Sequence, residues 1–510
     1  MININNTIIK LAGLTVACTV LAACDPEFNS DVNNTSFYSE GSVDLSNFVT
    51  IGDSITAGYG DSALYLHGQK NSYPNILAGQ FAKTGGGSFT QPLVSDNLGG
   101  LLFGGAANPD FGNRLVLDAT TSSPAPIAGD PTTEVFNSPL IGTTFNNMGV
   151  PGAKSFHLGS TGLGNAAGLL TDPATANPYF VRFASASDTS MIVDAASQQP
   201  SFFVLWIGNN DVLSYATDGG TGENQLNPVV SPADYGSEDI TNPLVFASVY
   251  SGLVDAMVGA GTNKGVLVNI PDVSTLPYFT TVPYNAVPLD QATADDLNTA
   301  YAPYNGGLLL MQQNMVITAD EVAKRTISFA AGQNAVVIMD EDLTDVTGVI
   351  PGTTDGLINM RQATAEDLLV LTTSSKIGSL ANPADPTSAW GVGVPLVDSD
   401  VLIPSEIEEI NTARLAFNAT IEALATANDN LLYIDVADFM TELNDTGIDY
   451  GTGSITSTYG SGGAFSLDGV HPTARGYAVI ANIMIEAINT NFNANIPMVD
   501  PELYSTIFVK

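Results

Sequence analysis

Four continuous apolar runs, each too short for a helix, constrain most how this chain folds. They are Phe48 to Ile51, Phe202 to Ile207, Gly265 to Ile270 and Leu431 to Val436. A strand with one wet face alternates apolar and polar residues. A strand covered on both faces reads as an unbroken apolar stretch, as these do. Longer stretches of helical spacing separate the runs. Strands alternating with helices predict a doubly wound α/β fold around a parallel sheet.

Two of the helices are well marked. Ser405 and Glu408 have the spacing of a capping box, and Ile407, Ile410, Phe417, Ile421 and Leu424 behind them keep one face. After His471, the residues Tyr477, Ile480, Ala481, Met484, Ile485 and Ile488 also share a face, which predicts a helix packed on the sheet.

The first 23 residues read as a processing signal. Lys10 precedes an apolar run from Leu11 to Ala23, which is too short to span a bilayer. The run ends Leu21-Ala22-Ala23-Cys24, which resembles a bacterial lipobox; that resemblance makes Cys24 the lipidated N-terminus and predicts a cell-envelope lipoprotein. The expected location is the outer membrane or cell surface in preference to the inner membrane. Residues 24–45 are polar and read as a flexible tether, leaving 46–495 as the folded domain. Cys18 and Cys24 are the only cysteines, so no disulfide framework or thiolate metal site holds the fold.

The charge excludes one class of partner. Against 52 acidic residues stand 14 basic ones, a formal net charge of −38. A surface so acidic repels phosphate backbones, and nucleic acid is not an expected partner.

Four motifs carry the chemistry. Gly52-Asp53-Ser54-Ile55 and Gly208-Asn209-Asn210-Asp211 each follow an apolar run, and Asn147 to Gly152 follows a weaker run around Thr143 to Phe145. Asp468-Gly469-Val470-His471 lies near the C-terminal end. Loops beyond the carboxyl ends of parallel strands meet in one crevice, so these distant residues can gather there. Ser54 is a candidate nucleophile at a helix start, where its own N–H can face a developing oxyanion. Gly52 suits a tight exit from the strand, and Gly152 lets a backbone N–H approach a substrate oxygen. Asn210 offers a neutral side-chain donor. His471 is the candidate base, with Asp468 three residues earlier placed to hold its Nδ1 proton. Each motif alone also describes an ordinary turn, cap or ion pair; the set of four is far more specific.

Their order and complementarity resemble the SGNH/GDSL hydrolase family. The resemblance implies a flavodoxin-like sheet of five parallel strands, with no cofactor and no catalytic metal. It implies Ser54, Asp468 and His471 as a catalytic triad, and Ser54, Gly152 and Asn210 as the oxyanion hole. The run Asn269-Ile270-Pro271-Asp272 with Leu276-Pro277 is similar to a segment of lipolytic members. Ile55 stands where the family usually has Leu. The implied activity is hydrolysis of carboxylic esters, lipid or short acyl, through an acyl-serine. A carbohydrate O-acetyl esterase and a non-catalytic glycan- or lipid-binding lipoprotein are the alternatives.

Two long stretches, about 60–140 and 280–400, interrupt the pattern and suit a lid or subdomain. The second contains the acidic cluster Asp340, Glu341, Asp342 and Asp345, for which a solvated turn is expected in preference to a calcium site, because the Gly and Glu of an EF-hand loop are missing. The chain has no G-x-S-x-G elbow and no H-E-x-x-H.

Overall fold

The computed structural model describes residues 37–226, 231–261, 264–347 and 357–510. The expected signal, residues 1–23, and Cys24 lie outside the described residues. Five strands form the central sheet: β1 (Phe48–Gly52), β2 (Asn147–Gly149), β3 (Phe202–Trp206), β4 (Lys264–Val268) and β5 (Leu431–Ile434). Their spatial order is β2-β1-β3-β4-β5, and every pairing is parallel. This is the flavodoxin-like order of a doubly wound sheet. All four strong apolar runs become strands, with ends within two residues of the expected limits.

Side chains of β3 show why the runs are continuous. Phe203 and Leu205 enter one core, while Phe202, Val204 and Trp206 enter the other. The first core also takes Phe246 and Tyr250 from α1 (Pro243–Gly259) and Ile410, Phe417 and Ile421 from α2 (Pro404–Thr426). The second takes the expected face of α3 (Ala474–Phe492), from Tyr477 to Ile488. Burying each such side chain is worth roughly 1.5–3 kcal/mol, so either helix face is a major part of the stability.

Several boundaries move. Helix α2 starts at Pro404, not behind a Ser405–Glu408 box. Proline is pre-shaped for a first helical position, and Glu406 reaches back to accept the Ile403 N–H at 2.7 Å. The hydroxyl of Ser405 instead donates to Asp342 at 2.6 Å. The folded domain starts before residue 46: Val43 and Leu45 are buried in the second core and the Ser42 N–H donates to the Phe492 carbonyl, while residues 24–36 of the expected tether lie outside the described residues. The fold also continues past 495. Ile496 is buried, and the Leu117 N–H donates to the Phe508 carbonyl.

The stretch 280–400 builds a hydrophobic core of its own from Val287, Tyr301, Phe329, Val336, Ile338 and their neighbours. Short antiparallel ribbons cover it, including Val337–Met339 against Met360–Gln362. Leu64, Leu101 and Val135 of the 60–140 stretch join the first core of the sheet instead. That stretch is therefore an elaboration of the sheet domain, not a separate body.

Candidate active site

Ser54 is the first residue of a short helix, Ser54–Ala57, directly after β1. Gly52 is needed there for a different reason from the one expected. Its φ is not positive; a Cβ would collide with the Trp206 carbonyl and the Thr56 hydroxyl. The glycine lets helix and neighbouring strand close on β1.

The four motifs meet. The Oγ of Ser54 lies 2.8 Å from His471 Nε2, and His471 Nδ1 lies 2.9 Å from Asp468 Oδ2. The imidazole thus bridges a hydroxyl and a carboxylate. Asp468 also accepts the N–H groups of Val470 and His471 on Oδ1 at 2.9 and 2.8 Å, and that of Ser62 on Oδ2 at 3.0 Å. Burial alone raises this carboxyl, but the His471 charge and these hydrogen bonds prevail and hold it at about 2. Asp468 is therefore an anion at any ordinary pH.

The opposite side of Ser54 presents donors. The N–H groups of Ser54 and Gly152 reach no acceptor among the described residues. Gly152 has φ +77°, in the left-handed region, and a Cβ there would meet open space. Its glycine serves the backbone turn rather than relief of crowding. Asn210 gives one amide hydrogen to the Ala153 carbonyl at 2.9 Å, which fastens its side chain beside the Gly152 loop. Ser54, Gly152, Asn210 and His471 line a single open cleft of about 390 Å³. Tyr59, Phe111 and Tyr179 form its aromatic walls, and the Tyr59 ring lies 4.7 Å from the His471 ring.

Residues without a role in the sequence reading hold the loops in place. Asp53 is fully buried; it accepts the Ile55 N–H at 3.0 Å and an amide hydrogen of Asn209 at 2.9 Å. It ties the loop after β1 to the loop after β3. Burial pushes its carboxyl up to about 6, against these hydrogen bonds. Asp211 accepts from the N–H and hydroxyl of Ser155 at 2.8 and 2.6 Å, which ties the Gly152 loop to the same strand end. Asp61 accepts the Leu467 N–H at 3.0 Å and the Tyr65 hydroxyl at 3.0 Å, and so clamps the His471 loop. Asp53 and Asp211 lie inside the quoted motifs, adjacent to Ser54 and Asn210. That position was their only signal.

The other histidines are structural. His157 Nδ1 accepts the Lys154 N–H at 3.0 Å, and burial followed by the Lys154 charge pulls it to about 4. His67 Nε2 pairs with the Ser505 hydroxyl at 3.0 Å.

Of the acidic cluster, Glu341, Asp342 and Asp345 are exposed, as expected of a solvated turn, and Asp340 departs from it. Asp340 is buried and paired with Arg361 and Lys324, and Arg361 also grips Asp367 at 2.6 Å. Asp345 caps the turn through the Thr347 N–H and hydroxyl. Glu341 meets Asp398 and Glu406 instead, with oxygens within 4.8 Å of one another. Burial, followed by its acidic neighbours Glu341 and Asp398, pushes the Glu406 carboxyl well above the usual range.

Fold and site together define a parallel α/β protein with a Ser–His–carboxylate relay at the β1/β3 switch point. The model of the family described as GDSL-like Lipase/Acylhydrolase matches residues 48–357, more than half of the chain. The chain belongs to that family, whose members are hydrolases that act on esters and share the SGNH hydrolase fold. The matched stretch includes Ser54, Gly152 and Asn210 and ends ahead of Asp468 and His471, which geometry alone joins to the site. No curated protein and no solved structure matches the chain.

Proposed function

We propose that the protein hydrolyses carboxylic esters through an acyl-serine intermediate, with Ser54, His471 and Asp468 as the triad. The observation that supports this most is the unbroken relay Ser54–His471–Asp468, with contacts of 2.8 and 2.9 Å. In this reading Ser54 Oγ attacks the ester carbonyl while His471 Nε2 takes its proton. The N–H groups of Ser54 and Gly152 and the free amide hydrogen of Asn210 receive the oxyanion. His471 then gives the proton to the departing alcohol as the C–O bond breaks. Water, deprotonated by His471, attacks the acyl-serine and releases the acid and Ser54.

The test is hydrolysis of p-nitrophenyl esters by residues 25–510, with Ser54→Ala as control, together with labelling by a serine-reactive phosphonate. Turnover and labelling, both lost in the variant, are expected. A folded protein that neither turns over nor takes the label would leave a binding role.

We also propose anchoring through Cys24. The described chain enters beside the C-terminal end of α3, at Ser42 and Phe492, whereas the N-terminal end of α3 follows His471. The helix of 19 residues separates these points by roughly 28 Å. An N-terminal anchor is thus consistent with a cleft facing away from the bilayer. Among the described residues no helix is long and apolar enough to cross a membrane. Cys24→Ser should abolish incorporation of radiolabelled palmitate in an expressing bacterium; retained incorporation would remove the anchor.

A further inference from the structure

Beyond the reacting groups, the polar side chains that line the cleft around Ser54 are occupied, with one exception. Asn177 gives an amide hydrogen to the Pro151 carbonyl at 2.8 Å and accepts the Tyr179 and Phe180 N–H groups at 2.9 and 3.3 Å. The hydroxyls of Tyr59 and Tyr179 are paired with each other. The exception is Asp110, which lines the same cleft, is exposed, and has no partner for its carboxylate among the described residues. Its backbone N–H donates to Asn108 Oδ1 at 2.9 Å, which shapes the turn that carries it. Phe111 follows, stacked on Phe103 with ring centres 5.9 Å apart and set edge to face against Tyr179, also at 5.9 Å. Tyr179 in turn meets Tyr59 at 84°. Three aromatic rings, each nearly perpendicular to the next, thus wall a space that holds one free carboxylate. No lysine or arginine lines that space, in a chain of net charge −38.

We infer, on the esterase reading above, that the cleft takes esters of a cationic alcohol, one carrying an ammonium or quaternary ammonium group. The cation would lie against the rings of Tyr59, Phe111 and Tyr179, with Asp110 as its counter-charge. Aromatic faces carry negative potential and attract a cation. A quaternary ammonium donates no hydrogen bond, so rings and one carboxylate are enough to recognise it. A sugar alcohol would need several free side-chain donors and acceptors, and Asp110 alone is left to offer one. An anionic alcohol would meet Asp110 and no positive charge. The cation departs with the alcohol, and the acyl group stays on Ser54. This gives the 60–140 stretch a role: it supplies Asp110 and Phe111, while the triad comes from the loop after β1 and the loop before α3. Selectivity for charge and the bond-breaking chemistry then lie on different segments.

Two substrates of one shape isolate the charge: acetylcholine and 3,3-dimethylbutyl acetate, in which carbon replaces the nitrogen. The ratio of their kcat/KM values should favour the charged ester at least about tenfold in wild type and fall about fivefold or more in Asp110→Asn. It should also fall as salt rises, because Asp110 is exposed. Circular dichroism shows that the variant is folded. A second readout needs no turnover: saturation-transfer NMR should detect the methyl signal of choline bound to wild type, and Asp110→Asn should weaken it. If both esters are hydrolysed at equal rates by wild type, or Asp110→Asn leaves the ratio unchanged, the cation assignment is overturned and the esterase reading stands. If neither ester is hydrolysed but choline binds and Asp110→Asn weakens that binding, the cation site stands and the esterase reading falls. Without hydrolysis, choline binding that is absent, or that Asp110→Asn leaves unchanged, overturns both.

Discussion

Asp340 is a buried carboxylate and Asp468 a largely covered one; both are paired with basic side chains and both are held below the usual carboxylate range. They sit in regions that use them differently. Asp340 faces the guanidinium of Arg361, which its carboxylate partners hold protonated, and the side chain of Lys324. The group is closed: the guanidinium keeps its proton. Asp468 faces His471, whose far nitrogen reaches a serine in an open cleft. A carboxylate paired with a permanent cation fixes a body in place. The same carboxylate paired with an imidazole can steady a proton in transit. What separates structure from chemistry here is the partner and its access to the cleft, not the burial of the acid.

The sharpest way to break that comparison is to remove the group at the end of the relay. Ser54→Ala should lower esterase turnover on the order of 10⁶ with no change in urea midpoint. Residual turnover near wild type would show that a group outside the relay does the chemistry.

Next in size is Asp468→Asn, which keeps shape but not charge. It should lower turnover by ~10⁴, because the neutral amide holds the wrong imidazole tautomer. The matching change in the other region, Arg361→Met, should behave in reverse. It leaves Asp340 and Asp367 buried and less well paired, and should cost about 3–5 kcal/mol of stability. Turnover per folded molecule, measured well below the melting temperature, should stay within twofold. A variant that lost activity in proportion while fully folded would tie the 280–400 body to catalysis.

Smaller again is Asn210→Ala. Loss of one oxyanion donor should lower turnover by ~10²–10³ with little change in KM. Unchanged turnover would remove Asn210 from the site and leave the two backbone N–H groups to hold the charge.

The two regions also differ in how far the sequence revealed them. The edge that holds Ser54 and Asn210 was legible because the loops that carry them each follow a continuous apolar run, the mark of a strand buried on both faces. Once Phe48–Ile51 and Phe202–Ile207 are strands of one parallel sheet, Ser54 and Asn210 must emerge at the same edge. The weak run Thr143–Phe145 misplaced β2 by a few residues, since Asn147, Met148 and Gly149 are a strand by their neighbours, not by propensity. The 280–400 body resisted the same approach. Its ribbons are two or three residues long, below any useful period, and Thr326–Ala330 is buried in part without forming a strand. Pairs such as Asp340 with Arg361 are 21 residues apart, so only the folded chain shows which acid in the cluster is buried. Asp53 was hidden for another reason: beside a candidate nucleophile, an acid reads as a turn or cap, and its bond to Asn209 spans 156 positions.

The least effect, and the one that separates Asp53 from Asp468, is the pH dependence of stability. Asp53 sits at about 6 in the fold, above its ordinary 3.8. The folded chain then binds a proton more readily than the unfolded one, so stability rises as pH falls from 6 towards 4. Asp468 sits at about 2, below 3.8. Its contribution is fully present above pH 4 and is lost as pH falls from 4 towards 2. Each span corresponds to about 2–3 kcal/mol, with opposite sign. In urea unfolding from pH 7 to pH 2, Asp53→Asn should flatten the upper window relative to wild type and leave the lower one intact. Asp468→Asn should do the reverse. If Asp53→Asn left the profile between pH 6 and 4 unchanged, the buried acid beside Ser54 would be ionised throughout that range, and its bond to Asn209 would have to stabilise the anion more than burial opposes it.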